Sequence, residues 1–380
     1  MTRTCIVAAK RTPQGRFLGA LAEQSAVDLA IAAGRAALEP IGADRVDQVI
    51  IGNVLGAGLG MNIARQIGLG LGVPVERPAF TVNMMCASGL QAVILATQAI
   101  ATGQAEVVLC GGMESMSRAP YLVERARSGY RLGDGTLVDC VLRDGLVDPS
   151  SGQHMALTAE RLGQHYHIDR AAQDAFALRS QQRTAEAYAA GRYRDELVPV
   201  DKLNQDEHPR PDTTLEQLAN LRPAFQPDGT ITAGNASGIN DGAAVLVLCA
   251  EPTAVLHGWP VLATIGPYAA VGCDPAWMGL GPVHATRRLC AQHQLQSSDF
   301  DTIEINESFA VQTLACIREL SLEPERVNPD GGAIALGHPI GATGARLVVH
   351  LAHLLARGLT RRGLATLCVG GGMGLALVLQ

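Results

Sequence analysis

Short apolar runs separated by amphipathic, alanine-rich stretches are the feature that most limits what this chain can fold into. Residues 5–9, 48–53, 107–110, 244–249, 302–305, 364–369 and 375–379 read as buried strands. Residues 27–38, 90–102, 171–190, 283–293 and 342–357 carry helical spacing. Strands that are apolar on both faces need cover on both sides, so the alternation predicts an α/β fold with covered sheets. A chain of 380 residues is expected to divide into two or three domains or subdomains. With 47% hydrophobic and 17% charged residues, it can bury a large core and does not have the composition of a disordered segment.

The same composition narrows the partners. The net charge is −6 with no lysine- or arginine-rich run, and aromatics are 4%, so neither nucleic acid nor an anionic membrane is expected to bind. No apolar run reaches transmembrane length. The nine cysteines are scattered and none forms a CxxC pair, which predicts free thiols in a reducing cytoplasm. The start shows no secretory pattern, and Leu377-Val-Leu-Gln380 carries no targeting or lipidation signal, in keeping with a cytoplasmic location. Residues 52–72 are glycine-rich but lack GxxxxGK[ST] and a complete GxGxxG, so a nucleotide cofactor is not expected. His165 and His167 have no acidic or cysteine partner at metal-ligand spacing; no metal is expected, and the two read as surface residues at a helix end.

A weak internal echo divides the chain. A glycine-rich strand exit, Leu109-Cys-Gly-Gly-Met-Glu114, returns as Cys368-Val-Gly-Gly-Gly-Met373, and a turn-plus-helix precedes each, around Cys86 and around His338. Two similar halves are expected. Between about residues 118 and 233 the texture changes to charge, histidine and proline, with one clear helix N-capped by Asp169; this reads as an inserted lid.

Three glycine-flanked segments offer chemistry. Cys86, in Asn83-Met-Met-Cys86-Ala-Ser-Gly89, sits where strand 80–82 turns into a helix, so the positive helix end is expected to favour its thiolate, and Ser88 and Gly89 to allow the sharp bend. His338, in Gly337-His338-Pro-Ile-Gly341, lies where backbone must approach something closely, and a histidine beside a cysteine can take its proton. Cys368 ends a strand and enters Gly370-Gly-Gly-Met-Gly374, whose free N–H groups could face an oxyanion. Each has a plainer reading: a buried structural cysteine, a capping or core histidine, a cysteine before a tight turn. Asn306, after strand 302–305, could orient water or a carbonyl, or simply cap a helix. Two thiols and an imidazole in this order are the equipment for making or breaking a carbon–carbon bond beside a thioester.

At this point the chain resembles the thiolase family, and more closely its biosynthetic acetyl-CoA acetyltransferase group. The resemblance runs over essentially the whole length. It rests on Ala9-Lys-Arg-Thr-Pro13, Gly52-Asn-Val-Leu-Gly-Ala-Gly58, Asn62-Ile-Ala-Arg-Gln66, the Cys86 segment and Gly111-Gly-Met-Glu-Ser-Met116. Gln173-Asp-Ala-Phe-Ala-Leu-Arg-Ser180, Thr232-Ala-Gly-Asn-Ala-Ser-Gly-Ile-Asn-Asp-Gly242, Asn306-Glu307 and both C-terminal segments extend it. The resemblance implies a thiolase fold: two five-stranded α/β halves, stacked in five layers around two central helices, plus an inserted loop domain. The implied boundaries are 1–117, completed by about 238–258, for the first half; 118–237 for the loop domain; and 259–380 for the second half. It also implies a homotetramer, with residues 118–148 as the tetramerisation loop, acetyl-CoA and CoA as partners, and no cofactor beyond coenzyme A thioesters as substrates.

The implied reaction is a ping-pong Claisen condensation of two acetyl-CoA to acetoacetyl-CoA and CoA through an acetyl-Cys86 intermediate. Carried over by motif, Cys86 is the nucleophile, His338 its activating base and later a holder of the thioester oxygen, and Cys368 the acid/base for the α-proton. Asn306 would hold a water in the first oxyanion hole, and the N–H groups of Cys86 and Gly370 would form the second. His154, Met155, Arg210, Ala233, Ser237, Met278 and Phe309 match positions lining the coenzyme A and acyl pockets. The family's usual Asn-Glu-Ala-Phe reads Asn306-Glu307-Ser308-Phe309 here, its His-Met-Gly reads His154-Met155-Ala156, and Gln217 replaces a common serine near the adenine site. The alternatives are a degradative 3-ketoacyl-CoA thiolase taking longer chains, a ketoacyl synthase, which would give no reason for Cys368, and a non-catalytic acyl-CoA-binding scaffold.

Overall fold

The computed structural model describes residues 3–380. Nine strands build the sheet: β1 (Thr4–Arg11), β2 (Gln48–Gly52), β3 (Ala79–Val82), β4 (Val107–Ser115), β5 (Asn240–Ala250), β6 (Ala263–Gly272), β7 (Thr302–Ile305), β8 (Gly363–Val369) and β9 (Met373–Leu379). Their order is β7-β8-β9-β6-β1-β5-β4-β2-β3, with the two-residue strand Gly15–Arg16 pairing on β5. The first half supplies five strands. The second supplies β6, β7, β8 and β9, and an isolated bridge between Ile303 and Val327 holds its remaining edge. The two parts of the sheet are joined edge to edge where Cys5 and Ile6 pair with Thr264 and Ala263.

Eight helices matter for the site: α1 (Ala26–Leu38), α2 (Ile63–Gly70), α3 (Ser88–Ala101), α4 (Met155–Tyr166), α5 (Arg170–Ala189), α6 (Gly281–His293), α7 (Ala310–Glu319) and α8 (Ile340–Ala356). Helices α3 and α8 pack on each other between the two sheet halves. Their apolar residues share one core with the inner faces of β4, β5, β8 and β9. Outside, α1 and α2 cover the first half and α6 and α7 the second, each over its own core. The result is five layers. Every residue of α8 from Ile340 to Leu354 is buried, as expected for a helix apolar on all sides. Its polar exceptions are each partnered through one nitrogen: Arg346 Nη1 with Glu304, His350 Nδ1 with Glu196, and His353 Nε2 with the Ala9 carbonyl. The crossing is close because Gly89 lacks a Cβ, which would lie 2.8 Å from the Ala345 nitrogen.

One expectation is corrected. The Gly111-Gly112 pair is not a strand exit, because it pairs on both sides and β4 continues along β5 to Ser115. The glycines are needed inside the strand: a Cβ on Gly112 would sit 2.0 Å from the Gly341 carbonyl oxygen at the start of α8. Residues 116–239 leave the sheet between β4 and β5. They form a small hairpin (Tyr121–Val123 with Leu137–Asp139), a π-helical turn (Val141–Leu146), α4 and α5. Asp169 caps α5 by accepting from Ala172 N–H. This segment packs through α4 onto α7 and through α5 onto α7.

Candidate active site

Cys86 lies between β3 and α3, partly buried, at the wall of a cavity of about 340 Å³. The bend that brings it there falls at Met85, whose φ of +48° places it in the left-handed region. Ser88 pins the turn: its Oγ accepts from Met84 N–H at 2.9 Å and donates to the Met85 carbonyl at 2.7 Å. The bend therefore does not come from Gly89, whose role is the helix crossing. Ala87, with no side-chain cap, precedes α3 directly.

His338 comes from the equivalent place before α8 and is 6% exposed. Its backbone N–H donates to Asn240 Oδ1, and its Nδ1 lies 2.7 Å from Thr343 Oγ1. The Thr343 hydroxyl has one proton, which it donates to the Pro339 carbonyl at 2.9 Å. Oγ1 therefore accepts from Nδ1–H, which leaves the lone pair on Nε2. Nε2 lies 3.4 Å from Asn306 Nδ2. Asn306 is fully buried between β7 and α7 and caps no helix, since α7 starts at Ala310 after Phe309. Its Nδ2 also donates to Ser308 Oγ at 2.9 Å, and its Oδ1 has no partner among the described residues. Ser308 Oγ lies 3.4 Å from Cys368 Sγ, at the end of β8.

Burial governs the ionisation of all three reactive groups. It pushes the Cys86 thiol up to about 12, with proximity to Cys368 adding to the rise; N–H groups of Gly370 and of Cys86 itself pull the other way without winning. Nearby N–H groups do favour the thiolate, but removing water from the anion outweighs them. Burial likewise raises Cys368 to about 11, with Ser308 opposing. It depresses His338 to about 3, helped by the charge of Arg346, so the imidazole is neutral. Proton transfers among two neutral thiols and a neutral imidazole create charges only in opposite pairs and leave the net charge of the site unaltered.

The inserted segment and the second half close the cavity. Met155, Met278 and Phe309 are buried in it, with Ser237 and Gly370 also on its wall. His154 caps α4 through Nδ1, accepting from Ala156 N–H at 3.1 Å, and its ring stacks on Phe225 at 4.6 Å. Arg210 and Ala233 lie on the surface of the inserted segment and not on this cavity. Gln217 is exposed and closes a capping box with Thr214. His165 and His167 are exposed near the end of α4, where His167 is the C-cap.

Sequence reasoning missed Phe225, Thr343 and Glu114. Glu114 sits fully buried behind Cys86 and accepts from Asn53 Nδ2 and from the N–H groups of Val54, Leu55 and Gly341. A carboxylate inside an apolar strand, after two glycines, was the available signal.

The family model "Thiolase, N-terminal domain" matches residues 4–252, and "Thiolase, C-terminal domain" matches residues 259–380. The chain is 50% identical to "Acetyl-CoA acetyltransferase" of Escherichia coli (strain K12), covering 100% of this chain and 99% of that protein. A protein of the same name from Pseudomonas aeruginosa is 50% identical at the same coverage. Among solved structures, "human mitochondrial 3-ketoacyl-CoA thiolase in complex with CoA" superposes with a TM-score of 0.97 at 44% identity, over 100% of this chain and 98% of that one. With both family domains matched end to end, five layers in place, and Cys86, His338 and Cys368 on one cavity, the chain belongs to the thiolase family.

Proposed function

We propose that this enzyme is an acetyl-CoA C-acetyltransferase that condenses two acetyl-CoA to acetoacetyl-CoA and CoA, and runs the reverse thiolysis. The observation that carries the reading is the convergence of Cys86, His338 and Cys368, from three distant segments, on one largely apolar cavity. Its full-length relatives named acetyl-CoA acetyltransferase support the choice of acyl group.

In the first half-reaction, the Nε2 lone pair of His338 takes the Cys86 proton as Sγ attacks the thioester carbonyl. CoA leaves as a thiolate and recovers that proton from His338, and acetyl-Cys86 remains. In the second, the Cys368 proton passes to His338 Nε2, and the resulting thiolate removes the α-proton of another acetyl-CoA. The enolate attacks acetyl-Cys86, a carbon–carbon bond forms, and the Cys86 thiolate departs and recovers a proton from His338. The α-proton of a thioester is a far weaker acid than a thiol, so the burial that raises Cys368 also makes it a stronger base. Two oxyanion holes complete the reading. The N–H groups of Cys86 and Gly370 hold the acetyl-enzyme oxygen; both already face the Cys86 sulfur. His338, protonated on Nε2 at this stage, and a water on Asn306 hold the enolate oxygen, a role supported by an Oδ1 that has no partner among the described residues.

His154, Met155, Ser237, Met278 and Phe309 grip the acyl and pantetheine parts, and the exposed Arg210 and Ala233 serve the nucleotide end. Residues 1–117 with 238–258, 118–237 and 259–380 form the three units. The enzyme works as a homotetramer in the cytoplasm. The hairpin carrying Tyr121, Leu122, Val123 and Leu137 exposes these side chains, and an isolated two-stranded hairpin is marginally stable without a partner surface. No helix among the described residues is long and apolar enough to cross a membrane.

Thiolysis of 3-ketoacyl-CoA substrates from four to sixteen carbons, on wild type and Cys86→Ala, tests the reading. Activity should concentrate on acetoacetyl-CoA and vanish in the variant. A second reading, a degradative thiolase for longer chains, is favoured by the apolar side chains of Leu142, Leu146, Ile239 and Ile340 on the cavity wall. Activity that rises with chain length would select it.

A further inference from the structure

The loop from β7 to α7 carries Asn306-Glu307-Ser308-Phe309, and Ser308 is nine-tenths buried on the cavity wall. Its backbone is held independently of its side chain, because its carbonyl accepts from Ser237 N–H at 3.0 Å and from Ser237 Oγ at 3.2 Å. The hydroxyl is therefore free for another use. Asn306 Nδ2 can only donate, so Ser308 Oγ accepts from it at 2.9 Å. The single hydroxyl proton is then available to Cys368 Sγ, 3.4 Å away. Asn306 in turn reaches His338 Nε2. A continuous polar chain thus links His338, Asn306, Ser308 and Cys368.

We propose that Ser308 is a positioning residue that sets the charge state of Cys368, by donating its hydroxyl proton to the thiolate while Asn306 holds its oxygen. This rests on the reading of Cys368 as the group that handles the α-proton. Apart from Ser308, only the Cys368 N–H favours the anion, while burial opposes it. Removing a hydrogen bond to a buried anion shifts its ionisation upward by about one pH unit or more. The thiolate fraction then falls about tenfold, and the gain in intrinsic nucleophilicity of a more basic thiolate recovers part of that, leaving roughly a threefold loss.

The test compares Ser308→Ala and Ser308→Thr with the parent enzyme, each also in a Cys86→Ala background. Iodoacetamide labelling of Cys368 is followed by mass spectrometry from pH 7 to 9.5. Ser308→Ala should label about threefold more slowly at each pH, and Ser308→Thr, which keeps the hydroxyl, should restore the rate. In the enzymes with Cys86 intact, condensation in Ser308→Ala should fall at least threefold further than exchange of labelled CoA into acetyl-CoA, a step that does not use the α-proton. Unchanged labelling, or no recovery in Ser308→Thr, would overturn the proposal. Should Ser308→Ala fail to fold, Ser308→Val against Ser308→Thr isolates the hydroxyl at nearly constant volume. Condensation that survives in Cys368→Ala would overturn the underlying assignment; its loss there, with unaltered labelling in Ser308→Ala, would overturn the serine's role alone.

Discussion

Each half of the sheet places an asparagine directly after a strand, Asn53 after β2 and Asn306 after β7, and the two are used in opposite ways. Asn53 donates to Glu114 at 2.7 Å, and Glu114 also accepts three backbone N–H groups. That corner is saturated: it ties β4, the β2 exit and the start of α8 into one rigid piece. Around Asn306 the neighbouring carboxylate turns away, since Glu307 accepts from Ser180, Asn328 and the Ile334 N–H. Asn306 is left with an unpartnered Oδ1 and an amide shared between Ser308 and His338. Native interiors rarely leave polar atoms unsatisfied, and each exception calls for an explanation; at Asn306 the free Oδ1 lies on a side chain that reaches His338 and Ser308, both on the cavity wall. Under the proposed function, one half supplies the frame and a nucleophile, and the other keeps hydrogen-bonding capacity free for substrate.

The largest expected effect comes from exchanging the two asparagines for alanine in separate variants. Asn306→Ala should slow condensation by about 10²–10³, the usual loss for one oxyanion-hole partner, with Tm nearly unchanged. Asn53→Ala should cost about 1–3 kcal/mol in urea unfolding, because it strips a donor from a buried carboxylate, while kcat of the folded enzyme stays within about fivefold. A hundredfold loss of kcat in Asn53→Ala at unaltered stability would break the comparison.

The saturated corner has its own signature in pH. Burial holds Glu114 near 7 against an ordinary 4.5, with its four donors only partly compensating. A carboxyl raised in the folded state contributes stability that is full below its unfolded pKa and is lost as pH rises through the folded value. Glu114 therefore destabilises the fold progressively from about pH 4.5 to 7, by up to about 3 kcal/mol. Glu304, raised to about 7 mainly by burial, adds to the same window. Buried neutral His338 and His208 act in the opposite sense below about pH 6.5, so the Glu114 contribution is read as a difference: the urea midpoint of Glu114→Gln, below the parent's at pH 4.5, should gain on it as pH rises to 8. A constant difference between the two would show that Glu114 does not titrate in this range.

Much of this was visible before any coordinates. The strands at 302–305 and 364–369 and the helix at 342–357 fall within a residue or two of β7, β8 and α8, because runs apolar on all sides have few ways to be read. β6 was not foreseen: Ala263–Gly272 contains Gly266 and Pro267, which argue against a strand until the pairing with β9 is known. The short helix α7 was missed for a related reason, since its start carries no side-chain cap. In the site, Cys86, His338 and Cys368 stood out because glycines flank each. Phe225 did not, since an aromatic residue in a polar loop becomes a cavity wall only when His154 stacks on it. Nor could the ionisation of Cys86 be read from its place before a helix, because burial is a property of the assembled cavity.

The smallest effect concerns the hydroxyls that stabilise the two turns. Ser88 binds only backbone, at Met84 and Met85, whereas Thr343 binds the ring of His338. Ser88→Ala should therefore cost about 1 kcal/mol of stability, the net value of a buried hydrogen bond, and act on rate only through the geometry of Met85. Thr343→Val removes the acceptor for Nδ1–H and frees the imidazole to carry its proton on Nε2, where it cannot take one from Cys86. A hydrogen bond worth about 1 kcal/mol biases the tautomers roughly fivefold, so CoA exchange should slow by up to about that factor in Thr343→Val while Thr343→Ser retains the parent rate. Nitrogen-15 shifts of the His338 ring would show the proton moving from Nδ1 to Nε2 in the valine variant. Identical shifts in both enzymes would mean that the ring is held by something other than Thr343, and the second half of the site would then be as rigidly determined as the first.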